Sequence, residues 1–321
     1  MSRRPIVTII VPGFDVAPWA PEAIASLEAQ RFSDWRAVLV DDASSDATGA
    51  VFDDAAARDD RFRVIHLDRR RGLGAARNAA LATVDTPFLG YLDADDVLLP
   101  GALERMVPLL DATGSDFAVG AYVRLRPDGV GGYAPGEVQP WVDAATAPER
   151  RGTTVDDHPE VTANIVAWSK LSRTAFWEHA GLRFPEGRLY EDQIVAQQMY
   201  ARARRFDVVP DVIVHWRERA DGSSITQHEE RIDVLHDCLD AMTAGLAVLD
   251  ATAHPDAARA RVGQLLRMDV PRLATIAFAH PEDAYRRAVG AFTRTLAERP
   301  DARELTLPEA TQPLLSAARL W

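Results

Sequence analysis

Asp93-Ala94-Asp95-Asp96 places three carboxylates in four residues, directly after the apolar run Phe88-Leu89-Gly90-Tyr91-Leu92. Like charges this close repel unless a cation sits among them. Carboxylate oxygens are hard ligands suited to Mg²⁺ or Mn²⁺, ions that bind through one or two carboxylates plus substrate phosphates. The plainer reading is a solvated acidic turn ahead of the helix that Pro100 opens. The strand-like run before it and its companions elsewhere favour the metal. Asp41-Asp42 likewise follows Val38-Leu39-Val40. An acceptor there can take a nucleobase N–H, or cap the next helix. Glu191-Asp192 opens a helical pattern. Either carboxylate can act as a general base, or simply suit the positive end of the helix dipole. His215-Trp216-Arg217-Glu218-Arg219 closes the apolar run Val208–Val214. The histidine is structural or, beside a diphosphate and a metal, a ligand.

Gly72-Leu73-Gly74-Ala75-Ala76-Arg77-Asn78 resembles part of a dinucleotide fingerprint, but weakly. It lacks the third glycine, follows the third strand instead of the first, and has Arg77 where close packing is wanted. A helix opened by glycine, with Arg69, Arg70, Arg71 and Arg77 near its start, favours an anionic ligand.

These residues need elements to position them. Ile6–Val11, Ala37–Val40, Phe62–Leu67 and Phe88–Leu92 read as buried strands. Helical patterns cover Pro21–Arg31, Ala47–Arg58, Gly72–Ala82 and Pro100–Leu110. Strands alternating with helices over short connections predict an α/β layer fold with a largely parallel sheet. Ligands in such sheets sit at the carboxyl ends of the strands. Pro12, Phe14 and Asp15, then Asp41 and Asp42, then the arginine triplet, then Asp93, Asp95 and Asp96 stand just after successive strands. Further on, Gly129–Gly136 reads as a Gly/Pro-rich loop and Ala144–Pro159 as a polar, mobile stretch. Tyr190–Ala203 reads as a helix. From about His228 the chain reads as helical, with breaks at His254-Pro255, Pro271, His280-Pro281 and Pro300. Val234, Leu235, Leu239, Met242, Leu246 and Leu249 recur there at helical spacing. They pack onto the rest of the chain, or form a homo-oligomer surface or a platform for a polymeric acceptor.

The 321 residues carry 36 basic and 48 acidic side chains, a net charge of −12. An acidic balance argues against a nucleic-acid-binding role. Only Lys170 among the 36 basic residues is lysine, so phosphate contacts fall to arginine, with Lys170 the one exception available. A single cysteine, Cys238, excludes an intrachain disulfide framework and a Cys-based zinc site, and its helical surroundings make it a core thiol. No apolar run reaches the ~18–20 residues needed to span a bilayer. The apolar stretch after Arg4 is too short for a signal-peptide core. A soluble, cytoplasmic protein is expected, with room for peripheral contact at the inner face of a membrane.

Four ordered segments carry a family resemblance: Val7-Thr8-Ile9-Ile10-Val11-Pro12-Gly13-Phe14-Asp15, Val40-Asp41-Asp42-Ala43-Ser44-Ser45-Asp46, Gly74-Ala75-Ala76-Arg77-Asn78 and Tyr91-Leu92-Asp93-Ala94-Asp95-Asp96. Lys170-Leu171-Ser172-Arg173, Phe184-Pro185-Glu186-Gly187, Tyr190-Glu191-Asp192 and Arg217 through Thr226 extend it. The chain resembles family 2 glycosyltransferases, which have the glycosyltransferase A fold. Within that family it is most similar to bacterial enzymes that glycosylate cell-surface polymers, including teichoic acid glycosyltransferases. The resemblance implies a donor-binding half over residues 1–115 and an acceptor-binding half over 116–226. The helical region 227–321 lies outside it. Asp15 stands where the family usually has Asn, and Gly13 where Val or Ala is common; both bear on the uracil side of the pocket.

By resemblance, the donor is a nucleoside-diphosphate sugar such as a UDP-sugar. Pro12, Phe14 and Asp41 hold the base, with Asp15 and Asp42 beside them. Arg77 and Arg71 address the base edge or the diphosphate. Asp93 and Ala94 lie by the ribose. Asp95 is the principal ligand of a Mn²⁺ or Mg²⁺ ion, with Asp93 and His215 as further candidates. Arg217 and Arg219 close over the phosphates. Asp192 is the general base and Glu191 its neighbour. The acceptor is a hydroxyl of a glycan or polyol-phosphate polymer, and one displacement inverts the anomeric carbon. A metal-dependent nucleotidyltransferase and a non-catalytic nucleotide-sugar-binding subunit are the competing readings. A dinucleotide-dependent oxidoreductase is disfavoured by the misplaced glycines.

Overall fold

A computed structural model describes residues 4–224 and 228–321. Ile225 and Thr226, which end the last resembling segment, and the boundary near Gln227 lie outside the described residues. The first strands and helices follow the pattern read from the sequence: β1 (Val7–Gly13), α1 (Ala20–Glu28), β2 (Trp35–Asp41), α2 (Thr48–Arg58), β3 (Phe62–His66), α3 (Leu73–Leu81) and β4 (Phe88–Tyr91). β1, β2 and β4 are buried along their whole length. That explains their continuous β-branched and apolar runs, as in sheets covered on both faces. The one polar residue inside β1, Thr8, has its hydroxyl 2.6 Å from that of Thr86 and accepts Arg36 Nε at 3.0 Å. A buried hydroxyl is tolerated because it is hydrogen-bonded.

The chain continues through β5 (Val97–Leu98), α4 (Ala102–Thr113), β6 (Phe117–Pro127), β7 (Tyr133–Pro135), α5 (Pro140–Thr146), β8 (Arg150–Thr153), β9 (Lys170–Arg173), α6 (Thr174–His179), α7 (Glu191–Arg202) and β10 (Phe206–Arg217). Two expectations change here. The Gly/Pro-rich stretch contains β7, which pairs antiparallel with the end of β6. The polar stretch after Ala144 holds the end of α5 and all of β8, which pairs with β10. Both strands are short edge additions. Half-exposed, they need no apolar run, so periodicity does not reveal them.

The described strands form one sheet in the order β3-β2-β1-β4-β9-β6-β10-β5, with β7 and β8 at its margins. β1, β2, β3 and β4 run parallel. β9 is antiparallel to both β4 and β6, and β10 is parallel to β6. Two reversals restore direction, so β6 and β10 point the same way as β1 and β4. The end of β10 therefore reaches the same rim as the ends of the first four strands. The order reverses at β1 and β4, and the crevice outside such a reversal is where α/β sheets take ligands.

The remainder is helical: α8 (Ile232–Asp250), α9 (Pro255–Gln264), α10 (Val270–Ala279), α11 (Asp283–Glu298) and α12 (Gln312–Arg319). Pro271 does not break the chain. A π-helical turn, Leu265–Asp269, carries α9 into α10, and this local widening just before Pro271 is how the helix accommodates a residue with no N–H to donate. The recurring apolar residues of α8 are buried within this chain. Leu235, Leu239, Met242 and Leu246 form a second core with residues of α9–α12, and Leu249 joins the core around the sheet. Cys238 is buried in the second core, and burial pushes its thiol up to about 12. No described helix is long and apolar enough to cross a membrane.

Candidate active site at the sheet rim

The β1 and β2 ends build one side of the crevice. Asp15, in the left-handed region at φ 49°, accepts the Ser45 N–H at 2.8 Å. Aspartate is among the residues that adopt that backbone region most readily, and here a bond from the β2–α2 turn holds it there. Asp41 accepts the Ser44 N–H at 3.0 Å and lies 3.1 Å from His66 Nδ1. Asp42 accepts two backbone N–H groups, from Arg71 and Gly72, both at 2.7 Å. Both carboxylates are buried and engaged with neighbouring loops. Gly72 has φ 88°, open to glycine alone at no cost, and so supplies the turn that lets Asp42 reach both amides. A Cβ at Gly74 would stand 2.1 Å from the Pro185 carbonyl oxygen. The two glycines thus serve a turn and a close backbone approach. Phe14 carries Arg70 over its ring, 3.9 Å from the centroid, while Arg71 pairs with Glu186 at 3.0 Å. Pro12 is buried in β1.

The β4 end builds the other side. Asp93 and Asp95 are partly open to solvent, whereas Ala94 and Asp96 are buried. Asp93 accepts Arg77 Nη2 at 2.7 Å, and Asp95 accepts Arg219 Nε at 2.7 Å. Arg219 also lies over Trp19, 4.5 Å from the ring centroid. Arg217 is 2% exposed and ties β10 to the acidic turn. Its N–H donates to Asp96 at 2.8 Å, its Nε donates to the Asp95 carbonyl at 2.6 Å, and its Nη2 meets Glu22. Burial first, then Asp95 and Asp93, raise the Asp96 carboxyl well above the ordinary range, and its Oδ2 has no partner among the described residues. His215 shares a strand face with Arg217. Burial and Arg217 lower its imidazole against the pull of Glu22, which favours the neutral ring.

The deepest feature is Arg77. Expected at the base edge or diphosphate, it lies beneath the rim, 1% exposed. Its Nη2 holds Asp93 and its Nη1 holds Glu191, a residue 114 positions away. One guanidinium thus joins the acidic turn after β4 to the first turn of α7. Burial raises the Glu191 carboxyl to about 7, against the pull of Arg77 and with Asp192 and Asp93 adding to the rise. Burial also raises Asp192, with Asp93 in the same direction and Arg77 and Lys170 opposing. Asp192 lines a small cavity with Tyr91, Lys170, Ser172 and Trp177.

Lys170 stands out in the sequence as the single lysine, as the start of a resembling segment and as the one lysine available to a phosphate. It contacts no open crevice. Its ammonium is buried and donates to the carbonyl oxygens of Asn164 and Val166 and to Asn164 Oδ1, at 2.6–2.9 Å. Burial pushes it down to about 7 and Asp192 pulls it back up. Lys170→Met would strand these three acceptors. It is expected to destabilise the chain by about 2–4 kcal/mol, read from the urea midpoint. An unchanged midpoint would show that water replaces the ammonium. Trp19, Glu22 and Tyr133, whose ring lies under Arg217 at 4.4 Å from the centroid, are the rim-supporting residues that sequence reasoning did not place.

The pattern of glycosyl transferase family 2 matches residues 8–178. The chain belongs to that family. The uncharacterized glycosyltransferase EpsJ of Bacillus subtilis is 29% identical over 71% of this chain and 66% of its own length. The succinoglycan biosynthesis protein ExoO of Rhizobium meliloti is 32% identical over 68% of this chain and 63% of its own. This family member thus spans just under two thirds of the length of those relatives. Among solved structures, S. aureus TarS 1-349 in complex with UDP-GlcNAc superposes with a TM-score of 0.71 at 18% identity, covering 98% of this chain and 87% of that one. That likeness establishes the shared fold, a glycosyltransferase A type α/β layer with a helical C-terminal region.

Among the described residues, no three His, Cys, Asp or Glu side chains are grouped to hold a metal ion by themselves. Asp93 and Asp95 nevertheless fit a divalent ion of the kind used across this family. Each commits one named oxygen to an arginine and remains partly open to the crevice. That suits a hard cation held by one or two carboxylates and completed by phosphate oxygens.

Proposed function

We propose that this chain transfers a sugar from a nucleoside-diphosphate sugar, most simply a UDP-sugar, to a hydroxyl of a cell-surface glycan or polyol-phosphate polymer, with inversion. The observation that carries the reading is the Arg77 bridge. It brings Asp93 of the acidic turn and the Glu191-Asp192 pair to opposite ends of one guanidinium. In this reading a carboxylate that would hold the diphosphate's metal ion and the pair that would accept a proton share one guanidinium. The UDP-GlcNAc bound by TarS supports the donor class, and the succinoglycan biosynthesis of ExoO supports a glycan acceptor.

In this reading Phe14 and Arg70 flank the base, and Asp95 with Asp93 would hold a divalent ion that neutralises charge on the departing diphosphate. Arg219, paired with Asp95, would turn to the phosphates when donor arrives. Asp192 takes the proton of the acceptor hydroxyl. Its burial raises its affinity for that proton, which is what a general base requires.

A panel of UDP-, GDP- and TDP-sugars, assayed with Mn²⁺ and Mg²⁺ for diphosphate release, tests the function. Release of nucleoside diphosphate is expected with at least one donor and is expected to stop in chelator. Asp95→Asn should lose metal dependence and most of the activity. Pyrophosphate as product would mean nucleotidyl transfer, and full activity in chelator would remove the metal from the reading.

A further inference from the structure

Tyr190 sits immediately before Glu191-Asp192 and is a bulky residue in the left-handed region, φ 58°, ψ 30°. An aromatic side chain rarely adopts that backbone, and it persists only where the surroundings over-determine it. Here those surroundings are the C-terminal helices. The Tyr190 ring packs against their core, and its hydroxyl donates to Glu229 at 3.1 Å, a carboxylate also held by Arg272. The residues on either side are gripped as well. The Leu189 N–H donates to Asp237 of α8 at 3.0 Å, and Arg188 pairs with the same carboxylate at 2.9 Å. On the far side, buried Arg261 of α9 donates to Gln193 at 3.0 Å. Four contacts from the tail, at Arg188, Leu189, Tyr190 and Gln193, thus bracket the two carboxylates, while Arg77 holds Glu191 from the sheet side.

We propose that the C-terminal helices are a positioning device for Glu191 and Asp192, acting through Tyr190, Asp237 and Arg261. The left-handed turn at Tyr190 swings the chain so that α7 starts at Glu191, with both carboxylates in its first turn. Without the anchor, the turn has no reason to hold a strained aromatic, and the first turn of α7 is free to unwind. The tail then belongs to the catalytic apparatus even though it lies outside the matched family pattern, residues 8–178.

The inference rests on the assignment of Asp192 as base, so the test carries Asp192→Asn beside two tail-contact variants in the full chain. Tyr190→Gly removes the anchor but frees the backbone, since glycine adopts φ 58° without strain. Asp237→Ala removes the acceptor of Leu189 N–H at a partly exposed position. Turnover is measured as UDP release from whichever UDP-sugar of the panel the unaltered chain uses, and UDP affinity by calorimetry. Both variants are expected to lose turnover, Tyr190→Gly by about 10- to 100-fold, with UDP affinity unchanged. Tyr190→Phe, which keeps the ring, is expected to recover most of it. A purely structural role would instead lower the melting temperature with turnover per folded molecule intact. Inactive Asp192→Asn beside fully active Tyr190→Gly and Asp237→Ala overturns the positioning role alone. Active Asp192→Asn, or no turnover by the unaltered chain on any donor, overturns the base assignment and the positioning role together.

Discussion

Asp192→Asn is expected to lower turnover by about 10²–10⁴-fold, the range a general base supplies. Asparagine keeps the size of the side chain and its place in the first turn of α7, so UDP binding is expected to hold. What it loses is the ability to accept a proton. The pH dependence carries the same signature. Burial and Asp93 raise the Asp192 carboxyl, while Arg77 and Lys170 partly offset them. A base must be ionised to act. Turnover is therefore expected to rise with pH through an acid limb lying above the ordinary carboxylate value of about 3.9. Lys170→Met takes away one of the opposing charges, so the limb should move to higher pH in that variant. An acid limb at the ordinary carboxylate value, or wild-type turnover in Asp192→Asn, would remove Asp192 from the chemistry.

Arg77→Met is expected to cost about 3–5 kcal/mol of folding stability, because removing one partner of a buried pair leaves uncompensated charge. The guanidinium is 1% exposed and Glu191 5% exposed, so water does not easily take its place. Its cation–π contact with Phe184, 5.1 Å from the ring centroid, is lost as well. Arg77→Lys should recover part of the loss, since a point charge can meet one carboxylate but cannot fork between two. The urea midpoint reads the effect. A change below about 1 kcal/mol would place these contacts with the weak surface pairs. Glu191 carries a further sign. With its folded-state value raised to about 7, the folded chain holds a proton that the unfolded chain has released. Between its unfolded value and about 7, Glu191 therefore favours folding less as pH rises.

The tail changes how the chain divides. Its apolar spacing first suggested either packing or an outward-facing surface. In the structure those side chains are buried, and the polar residues beside them reach Arg188, Leu189, Tyr190 and Gln193. The opening of α7 is held from both sides, by tail and by sheet.

Sequence alone determined the parallel βα half and the identity of the rim. Continuous burial of β1, β2 and β4 leaves unbroken apolar runs, and alternation with helices forces their ends onto one edge. Asp15, Asp41, Asp42, Asp93, Asp95 and Asp96 were therefore legible as rim residues, because each stands within a few residues of the end of a recognisable strand. Tertiary structure alone decided the partners. The two antiparallel pairings of β9 turn β10 the right way, which puts Arg217 and Arg219 on the acidic turn. Arg77 finds Glu191 across 114 residues, and Tyr190 finds Glu229 across 39. Local pattern records that a residue is buried, since burial selects its type. It holds no record of which distant group shares that burial, because sheet order and helix packing set that pairing.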